Sequence, residues 1–354
     1  MPRKTSTPTT TPRKGKASGG KGTVKKATAA SQSPKEETSP QSCLVCGTNL
    51  VLLVTCSLLM STVLFSASVP ITQGDLAWKA RRVDLWWEVI GLLSWRTFEL
   101  VIGWISGYDA RDMACFMLLI HLPTYSLLTN FYNVRPTTIL TVSAITVFAS
   151  AAPFLYFRPL DHSRSSRHPI LTDRPTTFCT IVVASLVYTL ALYSSFVTWL
   201  PTFLVTYFNE IPDLRILHEG PKAFFILFLN LLPAGYATRE FLFVSSGSQP
   251  QQEPEGYRLR SSTASRRQQR EPPNELLITY LYRTVWQNQS QKRKVLISRS
   301  IVLASMIVAN AVVQLGVMVY GVEMKGALGW GSIWSLSTLV ITIFYGWVEA
   351  VVDV

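Results

Sequence analysis

The chain has 354 residues, a net charge of +12 and only 15% charged residues against 48% apolar ones, where soluble domains carry about a quarter charged. Its apolar residues gather into long uncharged runs and its basic residues flank them. This pattern excludes an ordinary soluble fold and directs the basic excess to membrane surfaces, so no nucleic-acid partner is expected. The fold class predicted is all-α: a polytopic helical membrane bundle of about eight transmembrane helices.

Residues 1–47 are rich in Lys, Thr, Ser, Pro and Gly and cannot bury enough apolar surface to fold alone. They read as a disordered basic tail, with nine Lys/Arg and two Glu in residues 1–42. So many polar residues precede the first apolar run that this run is expected to stay as an anchor. Cys43 and Cys46 form a lone CxxC just ahead of it. A zinc site would need a second ligand pair at matching spacing, and none follows. Their juxtamembrane position makes both candidates for palmitoylation. Cys56, Cys115 and Cys179 lie inside apolar runs, as small hydrophobes do.

A membrane bundle is predicted over 48–245 with about six spans. A helix needs about 20 apolar residues to cross the hydrocarbon core. Asn49–Val69, Thr137–Phe157 and Thr177–Leu200 meet that length. Leu85–Gly107 carries Glu88, Arg96 and Glu99, and Met113–Phe131 carries His121 and Pro123. Ala223–Ala237 is short, and reaches full length only if Arg239 and Glu240 sit at the interface with Phe241–Val244 continuing beyond. Residues 246–273 read as a disordered cytosolic linker, and 274–297 as an amphipathic helix on the cytosolic leaflet that ends in Lys292, Arg293 and Lys294. Two C-terminal spans follow in 298–354, namely Ser300–Tyr320 and Leu328–Glu349. Trp330, Trp334 and Trp347 are expected as interfacial anchors of the last.

Charge decides the doubtful spans. With eight crossings and a cytosolic N-terminus, 25 of the 33 Lys/Arg fall on the cytosolic side and seven opposite, with Arg96 inside a span. If Leu85–Gly107 lay on the surface, the strongly basic 239–299 segment would be forced across the bilayer against the positive-inside bias. Both termini are therefore expected in the cytosol, although Lys79, Arg81 and Arg82 run against the pattern.

Glu88, Arg96 and Glu99 share one helical stripe, with Arg96 and Glu99 spaced for a pair within the helix. Charges at bilayer depth are costly and turn toward protein or water. They form, with His121, Asn310 and Gln314, a candidate intramembrane polar site, and Asn230 is a further candidate. A structural ion pair and helix-joining hydrogen bonds are the plainer reading. Ser305 and Ala309 are spaced for close helix approach, and Pro123 and Pro233 interrupt their runs, as ordinary kinks on the plainer reading and as binding-site prolines of a transporter on the sharper one. Ser261 and Ser262 follow arginines and are candidate phosphorylation sites, where added charge would loosen a basic segment from anionic headgroups. His168 and Asp173 match a His-x4-Asp spacing without an accompanying phosphate-binding segment, and His162 and His168 lack a helical metal register. Asn288 heads a glycosylation triplet whose cytosolic placement would leave it unmodified. No phosphate loop, nucleophile elbow or zinc-protease motif is present, so no catalytic, cofactor or metal residue is assigned.

The function expected is a non-enzymatic scaffold or adaptor of an endomembrane, of the endoplasmic reticulum or nuclear envelope. Its partners would be the lipid bilayer, anionic headgroups at basic segments, and proteins met through tail and linker. The alternative is a small-solute or ion transporter using the polar stripe, with a membrane-embedded lipid enzyme third.

Overall fold

The computed structural model describes residues 40–72, 85–158, 174–209, 211, 220–244 and 291–352. The chain divides into two compact units, Met1–Cys43 and Leu44–Val354. Of the first, only Pro40–Cys43 is described, as the opening turn of a helix, and the second holds the bundle. The described residues are helical with no strand, apart from a single antiparallel bridge between Phe208 and Val322. In chain order these helices are α1 (Pro40–Thr72), α2 (Trp86–Ile105), α3 (Ala110–Phe131), α4 (Pro136–Phe157), α5 (Arg174–Val197), α6 (Leu200–Tyr207), α7 (Pro221–Thr238), α8 (Gln291–Val313) and α9 (Met324–Val352). Two of them end in wider π turns, Arg239–Val244 after α7 and Gln314–Met318 after α8.

Among the described residues, six helices are long and apolar enough to cross a membrane: α1 from Gly47, α3, α4, α5, α8 with its π turn, and α9. Three charges interrupt α2, and Lys222 and Asn230 dilute the 18 residues of α7. The expected tail and span differ from the helix at their boundary, since α1 already begins at Pro40. α8 is described from Gln291, with Lys292, Arg293 and Lys294 in the first turn described. The linker 246–273 and the segment 274–290 lie outside the described residues, as do Ser261, Ser262, His162, His168, Asp173 and Asn288. The side chains of Cys43 and Cys46 do too.

Prolines open several of these helices. Pro136 begins α4 and Pro221 begins α7, positions where a missing N–H costs nothing because no intrahelical partner exists there. Reversals use glycines at positive φ, Gly107 (φ 73°) after α2 and Gly321 (φ 79°) between α8 and α9. Gly321 O accepts a 2.8 Å hydrogen bond from Asn209 N beyond α6, and Tyr207 O accepts from Glu323 N at 3.0 Å. These bonds close one end of the bundle.

Helix directions alternate. Phe131 at the end of α3 packs edge-on against Phe196 near the end of α5 and Trp330 near the start of α9. At the opposite end, the start of α5 meets the ends of α7 and α9: Tyr345 donates to Thr180 O and its ring lies 5.3 Å from that of Phe243. α7 follows α5 along its length, from the Tyr193–Phe224 ring pair to the bond from Arg239 to Thr177.

Lipid tails are as apolar as leucine, so close packing and internal hydrogen bonds, rather than the hydrophobic effect, hold such a bundle together. Gly235 brings α7 onto α5, where a side-chain carbon would meet Ser185 and lie 2.6 Å from Ile181 O. Gly331 seats α9 on α8 against Ala311 and Val308. The pair proposed for close approach, Ser305 and Ala309, is not the contact used. Ser305 is exposed and donates to Val302 O in its own helix.

Trp330 and Trp334 are not interfacial anchors. Both are fully buried, and Trp330 Nε1 donates to Pro123 O at 2.8 Å. Trp347 alone of the three is exposed. α3 is central, with 61% of its apolar window buried, whereas α1 stands at the edge with 11%. Large apolar residues such as Trp86, Ile105 and Ile343 stay exposed on the outer faces, as lipid contact allows.

Candidate functional site

The polar stripe of α2 turns inward. Arg96 Nη1 donates to Glu99 Oε2 at 2.8 Å, and the Glu99 side chain is fully buried. The guanidinium also reaches across to α4, donating to Ser150 Oγ and to Thr146 O, and touches Met117 Sδ on α3. Glu99 Oε1 has no hydrogen-bond partner and faces His121 Nε2 at 3.8 Å. His121 Nδ1 lies 3.0 Å from Met117 O, and its ring stacks on Tyr125, whose hydroxyl donates to Thr146 Oγ1.

Arg96, Glu99 and His121 thus form one cluster joining α2, α3 and α4. Glu88 is buried on the same helix, but eight residues of rise place it about 12 Å from Arg96. It is not part of the cluster. Asn230 is exposed on α7 and joins nothing inside. Pro233 is exposed too, whereas Pro123 is buried at the centre of α3.

Pro123 has no N–H to offer the carbonyl of Leu119, and side chains of neighbouring helices bond other carbonyls around the break. Asn310 Nδ2 donates to Ile120 O at 2.8 Å, one turn before the proline, and Trp330 caps the carbonyl of Pro123 itself. Trp95 Nε1 in turn donates to Asn310 Oδ1 at 3.0 Å. Asn310 is therefore a hydrogen-bond bridge among α2, α3 and α8. Gln314 stands one turn further and lines a cavity.

That cavity measures about 440 Å³. Phe65, Leu92, Leu128, Val142 and Met318 give it hydrocarbon walls, and Arg96, His121, Thr124, Tyr125 and Thr146 gather at its floor. It extends from the charge cluster toward the end of the bundle where α3 and α8 finish. Beneath the floor, toward the other end, Leu100, Met113, Phe116 and Met117 are fully buried.

A second charged layer closes that other end, and sequence reasoning missed it. Arg299 of α8 donates through both terminal nitrogens to Asp112 Oδ2 of α3, each at 3.0 Å, and to Phe241 O at 3.2 Å. Its guanidinium also lies over the rings of Tyr108 and Phe241. Burial pushes the Tyr108 phenol above its ordinary value, so the ring remains neutral beside that cation. Arg239 pairs with Glu240 at 2.7 Å and bonds Thr177 and Thr180 of α5. Arg111 reaches Glu240 from α3 at 3.3 Å. The wider π turn buries all six residues from Arg239 to Val244. The available sequence signal was positional: under alternating threading, Asp112, Arg239 and Arg299 all fall where spans meet the same side of the bilayer.

Among the described residues, no group of three or more His, Cys, Asp or Glu is placed to hold a metal ion. Cys56, Cys115 and Cys179 are free thiols.

Helices suited to a bilayer, outward apolar faces and interior polar groups bonded across helices define the class: a helical membrane-protein bundle. Within it, residues 173–348, just under half of the chain and running from α5 into α9, match the Bouquet formation protein 3 C-terminal domain. No curated protein and no solved structure matches the chain. The matched part contains Arg239, Glu240, Arg299, Asn310 and Gln314, whereas Arg96, Glu99 and His121 precede it, so the cavity joins matched and unmatched helices.

Proposed function

We propose that the protein is a non-enzymatic scaffold or adaptor of an endomembrane, of the endoplasmic reticulum or nuclear envelope, crossing the bilayer eight times with both termini cytosolic. The observation that carries this reading is the match of residues 173–348 to a domain named for bouquet formation, a process rather than a reaction. The interior of the matched segment supports it. Tyr188 bonds Thr238 and Thr338, Tyr345 bonds Thr180, and Arg239 bonds Glu240 and α5. These groups serve the packing of helices on each other.

α2 and α7 complete the count of eight. α7 with its π turn runs antiparallel along α5, and pairing of Arg239 with Glu240 lowers the cost of its charged end. Arg96 and Glu99 neutralise one another within α2. The excess of Lys/Arg on one side assigns that side to the cytosol. The basic tail and the 246–273 linker would then meet cytosolic proteins, and the basic segments anionic headgroups.

The transporter alternative rests on the cavity, but the packed residues Leu100, Met113 and Phe116 beneath its floor supply no path onward. Locating a fluorescent fusion in cells, with affinity purification from mild detergent, tests the proposal. Endomembrane placement and a stable, reproducible partner complex are expected. A solute flux in liposomes that Glu99→Gln abolishes would overturn the scaffold reading.

A further inference from the structure

Glu99 Oε1 is buried without a hydrogen-bond partner, and the atom it faces is the outer ring nitrogen of His121. The state of that ring follows from its other nitrogen. His121 Nδ1 lies 3.0 Å from Met117 O. A carbonyl oxygen only accepts, so Nδ1 carries the hydrogen, and the neutral imidazole leaves a bare lone pair on Nε2. With Glu99 ionised, as its 2.8 Å bond from Arg96 favours, two acceptors confront each other across 3.8 Å with no hydrogen between them.

One proton resolves the confrontation. Placed on Nε2, it makes an imidazolium that donates to the carboxylate; placed on Oε1, it makes a carboxyl group that donates to the ring. Either way, both orphaned atoms gain a partner. The opposing cost is charge, because Arg96, Glu99 and His121 together are neutral without this proton and carry one net positive charge with it. A buried charge and a pair of unsatisfied buried atoms are penalties of the same order. Neither state therefore prevails at every pH.

No other titratable group competes for the proton. The charges acting on His121 are those of Glu99 and Arg96, both of α2. From α3 itself, Tyr125 stacks on the ring with its hydroxyl bonded to Thr146. α4 presents Thr146 and Ser150 to Arg96, while α8 and α9 reach this part of α3 with Asn310 and Trp330, none of which titrates. His121 borders the cavity and Glu99 does not, so a proton reaches the pair by way of the imidazole. Leu100, Met113, Phe116 and Met117 close the other side. Access from one side suits a site that holds a proton rather than a step in a path across the bundle.

We propose that Glu99 and His121 form an intramembrane proton-binding site. A single proton, taken from water in the cavity, is held between Glu99 Oε1 and His121 Nε2 and turns their contact into a hydrogen bond fastening α2 to α3.

The test uses full-length protein, isotope-labelled in its histidine rings and carried in phosphatidylcholine nanodiscs, followed by NMR. The signal missing from His121→Gln identifies His121 among the four histidines. Above about pH 8 the ring should be neutral with its hydrogen on Nδ1, and between about pH 8 and about pH 5 the pair should take up one proton. That uptake appears as a doubly protonated ring or, in infrared difference spectra, as a carboxyl band. The double variant Arg96→Gln with Glu99→Gln leaves no charge uncompensated. Its His121 should bind the proton at least about tenfold more weakly, and the carboxyl band should be gone. The proposal fails if the wild-type pair takes up no proton between about pH 8 and about pH 5, or if the double variant titrates as wild type does. It fails equally if the neutral ring carries its hydrogen on Nε2, since that hydrogen would already fill the gap. The first and last of these results are read on wild-type protein, so they stand whatever a substitution does to folding.

Discussion

Arg299 sets both ends of its guanidinium on one oxygen of Asp112, 187 positions earlier in the chain, and so ties α8 to the first turn of α3. Both side chains are 8% exposed. Removing one partner from a buried pair leaves an uncompensated charge, at a cost of about 3 kcal/mol or more. Asp112→Ala should therefore lower the midpoint of thermal unfolding in detergent, followed by tryptophan fluorescence. The double substitution Asp112→Leu with Arg299→Met should recover most of the loss. A midpoint untouched by Asp112→Ala would show that the pair contributes no stability.

The Arg96–Glu99 pair makes a parallel case deeper in the bundle. Glu99→Gln leaves Arg96 charged and without its counterion, which insertion scales put at about 2.5–3.5 kcal/mol at the bilayer centre. The yield of monodisperse protein after size exclusion should fall for Glu99→Gln and return when Arg96→Gln is added. Equal yields for single and double variants would show that other groups carry the charge.

Two glycines should behave oppositely. At Gly235 a new methyl group would press on Ser185 and stand 2.6 Å from a backbone oxygen of α5, which cannot move aside cheaply. Gly235→Ala should destabilise by about 2 kcal/mol, within the range for overpacked interiors. Nothing lies within 4 Å of a carbon added at Gly91, so Gly91→Ala should be neutral or gain up to about 1 kcal/mol from helix propensity. Denaturation of both variants in one detergent, side by side, compares them directly; equal losses would contradict the packing described.

Threading is open to chemical labelling. Single cysteines placed at Ser248 and at Gln73, in a background without the native cysteines, should react with a membrane-impermeant maleimide from opposite sides of sealed microsomes. Ser248 is expected on the cytosolic face. Labelling of both from one side would remove an odd number of crossings between them and with it the eight-span proposal.

Much of the helical layout was readable from apolar run length, since a bilayer imposes about 20 residues per crossing and the runs at 137–157 and 177–200 contain no charge. Arg96 and Glu99, three apart, could be paired from spacing alone. Other features depend on partners far away in sequence. Asp112 and Arg299 look like ordinary loop charges until folding brings α3 and α8 together. Trp330 was placed at the interface by its position near a helix end, yet its indole is needed inside, to cap the carbonyl of Pro123. The bond from Asn310 to Ile120 O could not be foreseen, because that pairing is made only in three dimensions.

With 11% of its apolar window buried, α1 has mostly hydrocarbon chains for neighbours. Its tilt therefore answers to how thick the surrounding bilayer is, at a fraction of a kcal/mol per Å of mismatch. Ser61 and Phe65 move with it, and they form one side of the cavity. The side of the cavity formed by α1 is therefore the one that a change of bilayer thickness would reach first.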